Sequence, residues 1–460
     1  MTAATGPRAG GKPGRPRTDP ARRAALDVLR AVGERDAYAN LVLPSTLRAA
    51  GLQGRDAAFA TELTYGTLRG LGTYDAIIAK CVDRPLGEVD RGVLDLLRLG
   101  AHQLLRMKVP VHAAVNTSVD LARTALGRGP SGFVNAVMRR LSARTLEQWL
   151  AELLSDAQGD VARVLALRGF HPQWIVETFH HALGSWEETE RALDADNVAP
   201  GVTLVARPGR STLDELVAAG AKQGRWSPWA AQWPGGDPAT IPAVRDGRAG
   251  VQDEGSQLVA LALATAPLVG GDARWLDLCA GPGGKTALLA GLAQQRGATM
   301  TAVELQEHRA ELVRQSVGDM ATVVTGDATD PQWATGDYDR VLVDVPCSGL
   351  GALRRRPEAR WRRTPEDLAR LRPLQEQLLT SALAAVRVGG VVGYITCSPA
   401  LSETTEVVGA VLGGRSDVRQ VDARPLFVNL PDLGAGPDIQ LWPHRHGTDA
   451  MYLALLERLA

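Results

Sequence analysis

The stretch Arg274–Thr286 constrains this chain more than any other. An apolar run ends at Asp277, a glycine-rich turn follows, and Ala287 to Leu292 continue as a helix-like segment. A strand, a tight loop and a helix N-terminus in that order let backbone N–H groups approach a nucleotide-like ligand. Glycine permits that close approach and supplies positive φ where the turn needs it. Spacing then separates the familiar loops. A Walker loop, GxxxxGK[ST], needs glycine where Cys279 stands, so Gly284-Lys285-Thr286 does not complete one. The dinucleotide pattern GxGxxG accepts Gly281 and Gly283 but meets Thr286 at its last position. What fits is an acid four residues before Gly-x-Gly: Asp277, Gly281, Gly283. An ordinary βα turn is the bland alternative.

The rest of the C-terminal half favours the ligand loop. From about Gly250 strands alternate with helices, the pattern of an α/β parallel sheet. Thr299–Glu304 reads as a strand ending in an acid 23 residues after Gly281, where a carboxylate can accept from both hydroxyls of a ribose. Thr322–Ala328 holds a third strand with Asp327 at its end. Two further strand ends carry chemistry: Val341–Gly351 presents Asp344 and Cys347, and Gly393–Ser398 presents Cys397. In an open α/β sheet these ends face one crevice. Serines flank Cys347 and Cys397, unlike Cys81 and Cys279, which read as buried apolar thiols. A reducing compartment argues against a disulfide between the pair.

The four cysteines lack metal-ligand spacing, so no metal site is expected. The basic N-terminus has no apolar core, which excludes a signal peptide, and the charge-free run Gly255–Gly271 reads as a buried helix rather than a membrane span. A cytoplasmic, monomeric protein is expected. Charge is uneven: residues 1–150 hold 22 Lys and Arg against 13 Asp and Glu, the remainder 29 against 38. A basic front half suits a polyanion partner, although arginine supplies 46 of the 51 basic residues, as in an arginine-rich proteome.

In chain order, residues 1–20 read as a disordered basic tail and 21–145 as an all-α domain, with Leu94, Leu97 and Ala101 on one apolar face. Residues 146–245 read as a helical connector and a small α/β subdomain, with a strand at Gly201–Arg207 and a capped helix at Ser211–Ala219. Trp226, Trp229 and Trp233 are candidates for base stacking or for loop packing. Residues 246–460 form the Rossmann-like α/β domain.

These motifs carry resemblances. Asp277, Gly281 and Gly283 are spaced like motif I of the S-adenosylmethionine (SAM) methyltransferases. Arg55–Leu63, His112–Asn116 and Phe133–Arg140 resemble a NusB-like RNA-binding domain, which implies contact with RNA. Cys279–Thr286, Asp344–Gly349 and Thr396-Cys397-Ser398 resemble the motifs of the Nop2/Sun family of RNA cytosine-5 methyltransferases, and the whole chain resembles their bacterial 16S rRNA members. The resemblance implies Cys397 as nucleophile and Cys347 as the thiol assisting release. Asp344 would hold the cytosine edge with Lys285 beside it. Cys279, Ala280, Gly281, Pro282, Gly283, Gly284, Lys285, Glu304, Asp327 and Asp344 would bind SAM, with Asp327 near the adenine. The arginines between Arg354 and Arg363, with Trp361, would grip RNA or form a solvated basic helix.

The chemistry is coherent, because a thiolate adding at C6 of a pyrimidine turns C5 into a nucleophile able to take a methyl group. A free thiol has a pKa of about 8.5, so the attacking cysteine needs a neighbour such as Lys285 that favours the anion. The alternatives are methylation of a base amino group and a non-catalytic RNA-binding assembly factor. DNA cytosine-5 enzymes attack from a Pro-Cys motif like Pro346-Cys347, which leaves open which thiol attacks. The chain departs from the family pattern at Arg207, Glu403-Thr404-Thr405 and Asp449-Ala450-Met451-Tyr452.

Overall fold

A computed structural model describes residues 19–155, 157 and 159–460. The tail expected at residues 1–20 therefore falls outside them up to residue 18, while Asp19 and Pro20 already belong to a helix. The chain divides into two compact units, Met1–Gly159 and Asp160–Ala460.

The first unit is helical: α1 (Pro20–Arg35), α2 (Ala39–Ala49), α3 (Gly54–Cys81), α4 (Arg91–Leu105), α5 (Val111–Ala125), α6 (Ser131–Leu141) and α7 (Leu146–Leu153). The Asp19 side chain accepts from the N–H groups of Ala21 and Arg22, and Pro20 at the first turn forfeits no helical bond. Leu94, Leu97 and Ala101 of α4 are buried, as their spacing requires. The unit runs to Gly159 rather than to residue 145 because α7 belongs to it. A Thr145–Gln148 capping box starts α7, and buried Trp149 donates from Nε1 to Leu141 O at 3.2 Å.

The second unit opens with α8 (Val161–Gly169), α9 (Gln173–Leu183) and α10 (Trp186–Asn197). These helices are no mere connector. Ile175, Val176, Phe179 and Leu193 pack with Leu350, Leu353 and Trp442 of the α/β domain. A small sheet follows, ordered β2-β3-β1-β4, from β1 (Val202–Ala206), β2 (Lys222–Gln223), β3 (Ala230–Trp233) and β4 (Ala249–Val251). It carries α11 (Leu213–Ala218) and α12 (Pro242–Arg245). The β4 strand pairs antiparallel with β1 (Leu204 opposite Val251), so this subdomain extends past the expected limit of residue 245.

The large sheet contains β5 (Arg274–Asp277), β6 (Thr299–Glu304), β7 (Thr322–Thr325), β8 (Tyr338–Asp344), β9 (Val386–Thr396), β10 (Val418–Val421), β11 (Ile439–Gln440) and β12 (Tyr452–Arg458). Its order is β10-β12-β9-β8-β5-β6-β7, with β11 on β12. Neighbours from β7 to β9 are parallel, and β12 enters antiparallel. Helices α13 (Glu254–Thr265), α14 (Gly284–Gln295), α15 (Glu307–Val317), α16 (Ala359–Arg362), α17 (Pro365–Ala385), α18 (Thr405–Leu412) and α19 (Pro443–His446) complete the unit. The strand order reverses between β5 and β8, whose carboxyl ends border the crevice where such sheets bind ligands. Among the described residues no helix is long and apolar enough to cross a membrane.

A buried charge supplies a test of this packing. Arg360 is fully buried and donates to Phe170 O, Asp196 O and Asn197 Oδ1 at 2.8–3.0 Å. The Asp196 side chain is buried with neither carboxylate oxygen hydrogen-bonded, and burial pushes its pKa up to about 7 against the pull of Arg360. A raised carboxylate pKa leaves stability intact below the unfolded value of about 3.9 and removes it as pH rises toward 7. Asp196→Asn should therefore stabilise the protein more at pH 8 than at pH 4, by up to about 4 kcal/mol. Thermal melts at the two pH values check this; an equal shift at both contradicts it.

Candidate active site

The loop after β5 is held by its own acids. Asp277 is buried: its Oδ2 accepts from Thr286 Oγ1 at 2.7 Å and its Oδ1 from Cys279 N at 3.1 Å. Burial raises its pKa to about 7, and these two bonds oppose the rise. Asp277 thus shapes the loop from inside. Gly283 stands at φ +106° as the N-cap of α14, where a side chain would also crowd Ser316 and Val313. Gly281 N donates to Glu304 Oε2 at 3.0 Å, and a Cβ on Gly281 would collide with that carboxylate. The other oxygen of Glu304 accepts from Gln306 N at 3.0 Å, with Arg309 at 3.7 Å. Cys279, Ala280, Pro282 and Gly284 complete the loop between these anchors. Asp327 is exposed at the end of β7, next to Glu304 through Gly326 N→Glu304 O (3.1 Å). Its carboxylate accepts from Thr329 N and Thr329 Oγ1, which lowers its pKa.

The chemical centre lies on the β8 and β9 ends. Lys285, in the first turn of α14, donates from Nζ to Asp344 Oδ2 at 2.7 Å. Burial works to lower the Lys285 pKa, but the Asp344 carboxylate outweighs it and keeps the ammonium charged. Cys347 Sγ and Cys397 Sγ are 3.4 Å apart, both half-buried. Cys397 is held below the usual thiol value, first by the hydrogen bond from Cys347, with Lys285 and Arg356 adding positive charge against burial and Asp344. Cys347 moves the other way: the contact with Cys397, desolvation and the facing charges of Glu403 and Asp344 all raise it. Cys279 is pushed well above the ordinary value by burial and by Asp277, Asp344 and Glu304, and Cys81 up to about 11 by burial. Of the four, only Cys397 has its pKa lowered. Among the described residues no cluster of His, Cys, Asp and Glu is arranged to hold a metal ion.

Main-chain bonds sew the two thiol-bearing turns together. Val345 N donates to Ile395 O at 3.1 Å and Gly351 N to Cys397 O at 2.8 Å. Gly351 also gives its carbonyl to Ala450 N at 2.8 Å, and a Cβ there would strike the Ala450 and Cys397 carbonyls. The segment Asp449–Tyr452 thus borders the site. The other unrecognised contributor is Glu403, fully buried, which accepts from Ser348 N at 2.8 Å. Its signal in the sequence was an acid six residues beyond Cys397 in an otherwise uncharged segment.

The arginines after Gly351 require a correction. Arg354 donates to Asp449 Oδ1 (3.0 Å), Asp253 Oδ2 (2.6 Å) and Gly447 O (2.7 Å), and Arg355 donates to both oxygens of Asp449. With Arg360 buried as well, two of the expected RNA-gripping side chains, Arg354 and Arg360, are internal struts, while the half-exposed Arg355 is tied to Asp449. The acids that neutralise them, Asp253 and Asp449, lie 101 and 94 positions away, which hides the pairing from local sequence. Arg207 is likewise buried, donating from Nη1 to Gly247 O at 2.6 Å and Ser316 O at 2.8 Å. The tryptophans follow the packing alternative. Trp226 donates to His446 O at 2.8 Å, Trp226 and Trp229 lie against the large core, and Trp233 packs on the small sheet's core.

The family profile described as 16S rRNA methyltransferase RsmB/F matches residues 265–457, and the NusB family profile matches residues 19–143. A Mycobacterium tuberculosis protein designated a methyltransferase, Rv1407, is 53% identical over 459 residues, covering 98% of this chain and 99% of its own. The ribosomal RNA small subunit methyltransferase B of Pseudomonas putida is 30% identical over 453 residues, covering 95% and 98%. In fold, the crystal structure of PH0851 matches 96% of this chain and 99% of its own with a TM-score of 0.79 at 21% identity. NSun6 from Pyrococcus horikoshii matches 63% and 98% with a TM-score of 0.55 at 16% identity. This chain belongs to the RsmB/F family of 16S rRNA methyltransferases, with a NusB-family domain at its N-terminus.

Proposed function

We propose that this protein transfers a methyl group from SAM to C5 of a cytosine in ribosomal RNA, 16S by its relatives' designation, through a transient bond between Cys397 and C6 of the base. The observation that carries the proposal is the pair of thiols 3.4 Å apart beside the Lys285–Asp344 ion pair, at the point where the strand order reverses.

The residues around the loop fit SAM. Gly281 and Gly283 leave the loop without Cβ atoms where the chain must approach a ligand closely. Each oxygen of Glu304 spends one lone pair on a backbone N–H and keeps another for a ribose hydroxyl. Asp327, one strand further out, would hold the adenine. When bound, SAM supplies an electrophilic methyl group. Glu304→Ala should raise the SAM dissociation constant by about 10- to 100-fold through loss of charge-assisted bonds. Calorimetric titration with SAM checks this; an unchanged constant removes Glu304 from the cofactor site.

The remaining chemistry belongs to the side chains. Lys285 takes Oδ2 of Asp344, which leaves Oδ1 to accept from the exocyclic amino group and orient the cytosine. The Cys397 thiolate adds to C6 and makes C5 nucleophilic, C5 takes the methyl group, and the C5 proton passes to a base. The C6–S bond then breaks with its electron pair returning to Cys397, where the S–H of Cys347 receives the leaving thiolate in a hydrogen bond. A half-buried site at strand ends requires the base to swing out of its helix, and the NusB-family domain offers a second RNA contact.

Methyl-labelled SAM, 16S rRNA and the purified protein, followed by nucleoside analysis, test the function. Labelled 5-methylcytidine is the expected product. Label in an N-methylated nucleoside supports the amino-group alternative, and RNA binding with no methylation under any assembly state supports the non-catalytic one.

A further inference from the structure

Three donors converge on the buried carboxylate of Glu403. Its Oε1 accepts from Ser348 N at 2.8 Å and Gln375 Nε2 at 3.1 Å, and its Oε2 from Ser348 Oγ at 2.5 Å. Among the described residues no Lys, Arg or His pairs with it. Gln375 Nε2 also donates to Pro346 O at 2.9 Å, so the residues before and after Cys347 are both tied to this one polar cluster. The Ser348 hydroxyl gives its proton to Glu403 and can only accept from Ser398 Oγ, 3.2 Å away. The bonds therefore run from Ser398, the neighbour of Cys397, through Ser348, the neighbour of Cys347, into Glu403.

We infer that Glu403 is a positioning residue for product release: through Ser348 and Gln375 it fixes the Cys347 turn so that the Cys347 S–H points at the Cys397 sulfur. The inference rests on the covalent reading above. In the release step a base takes the C5 proton, the C5–H electron pair becomes the C5–C6 double bond, the C6–S bond breaks with its pair going to the Cys397 sulfur, and Cys347 keeps its own proton while donating a hydrogen bond to the new thiolate. No oxidant or extra proton is involved. The negative charge of Glu403 works in the same direction, because it raises the affinity of Cys347 for its proton and leaves the thiolate to Cys397. Glu403 touches neither thiol, so its removal should affect release and spare both methyl transfer to C5 and SAM binding.

Glu403→Gln tests this in the full-length protein on 16S rRNA with ordinary cytosine. A glutamine keeps only one acceptor oxygen, so either the Ser348 hydroxyl or the Ser348 N and Gln375 Nε2 donors lose their acceptor and face an N–H instead. The expected result is a steady-state kcat at least about tenfold lower, an unchanged KM for SAM, and a protein–RNA complex that survives denaturing electrophoresis. The alkaline limb of the kcat profile should also move to lower pH, because Cys347 loses the neighbouring charge that holds its proton. Ser348→Ala breaks the same chain without touching the carboxylate and should accumulate the same complex; it decides the matter if Glu403→Gln does not fold. Wild-type kcat in both variants, or a parallel fall of methyl transfer and turnover with no trapped complex, overturns the positioning role. Wild-type protein that forms no adduct with 5-fluorocytosine RNA overturns the covalent reading itself, which separates the two failures.

Discussion

Cys397→Ala should bind SAM and RNA like the wild type and transfer methyl groups at least about 10⁴-fold more slowly, the scale on which covalent enzymes lose rate without their nucleophile. Among the four cysteines only Cys397 has its pKa lowered, by the bond from Cys347 and the charges of Lys285 and Arg356. No other nucleophile in the crevice substitutes for it. Asp344 is committed to Lys285, the Ser348 hydroxyl to Glu403, and the Ser398 hydroxyl to Ser348. The side chain is half-buried at a strand end, so its truncation leaves the sheet and the loop intact. Single-turnover methyl transfer together with equilibrium binding checks this. A rate loss below about tenfold would remove Cys397 from the chemistry.

Cys347→Ala should do something different: the covalent complex with natural RNA should accumulate while turnover falls about 100-fold or more, as when a proton-handling group is lost. Cys347 Sγ sits 3.4 Å from the sulfur proposed to attack, and its raised pKa favours keeping the proton that it would offer to the departing thiolate. Without it the leaving group is poorer and the adduct persists. The same deletion removes the leading cause of the lowered Cys397 pKa, so the acid limb of adduct formation should move to higher pH. Denaturing gels across a pH series show both effects. A variant that turns over normally, or one that never forms an adduct, contradicts the assignment.

Much of this site was legible because it sits on strand ends. Asp277, Glu304, Asp327, Asp344 and Cys397 each close an apolar run, and a parallel sheet brings such ends to one rim whatever the loops do. Lys285 was placed beside Asp344 by the family resemblance, and the fold brings it there because it opens the helix after the glycine loop. The function of Asp277, by contrast, was visible only in the fold, since its partners Thr286 and Cys279 N are presented by a turn whose path the sequence does not state. Buried arginines were the largest misreading. A run of arginine looks solvated until Asp449, Asp253, Asp196 and Asn197 are brought to it from distant segments. Glu403 belongs to the same class, since its meaning depends on Ser348, 55 residues earlier. Helix α7 and strand β4 attach to Leu141 and to β1 for a related reason, through contacts that composition does not reveal.

The most direct test of the covalent account is trapping on RNA carrying 5-fluorocytosine at the modified position, with SAM present, followed by proteolysis and mass spectrometry. Fluorine at C5 blocks the final proton loss, so a thiol-addition enzyme remains joined to its substrate. The expected result is a nucleotide attached to the peptide containing Cys397, present in wild type and Cys347→Ala and missing in Cys397→Ala. A nucleotide on the Cys347 peptide would reverse the two thiols. Quantitative methylation of ordinary RNA with no adduct on the fluorinated RNA would contradict thiol addition altogether.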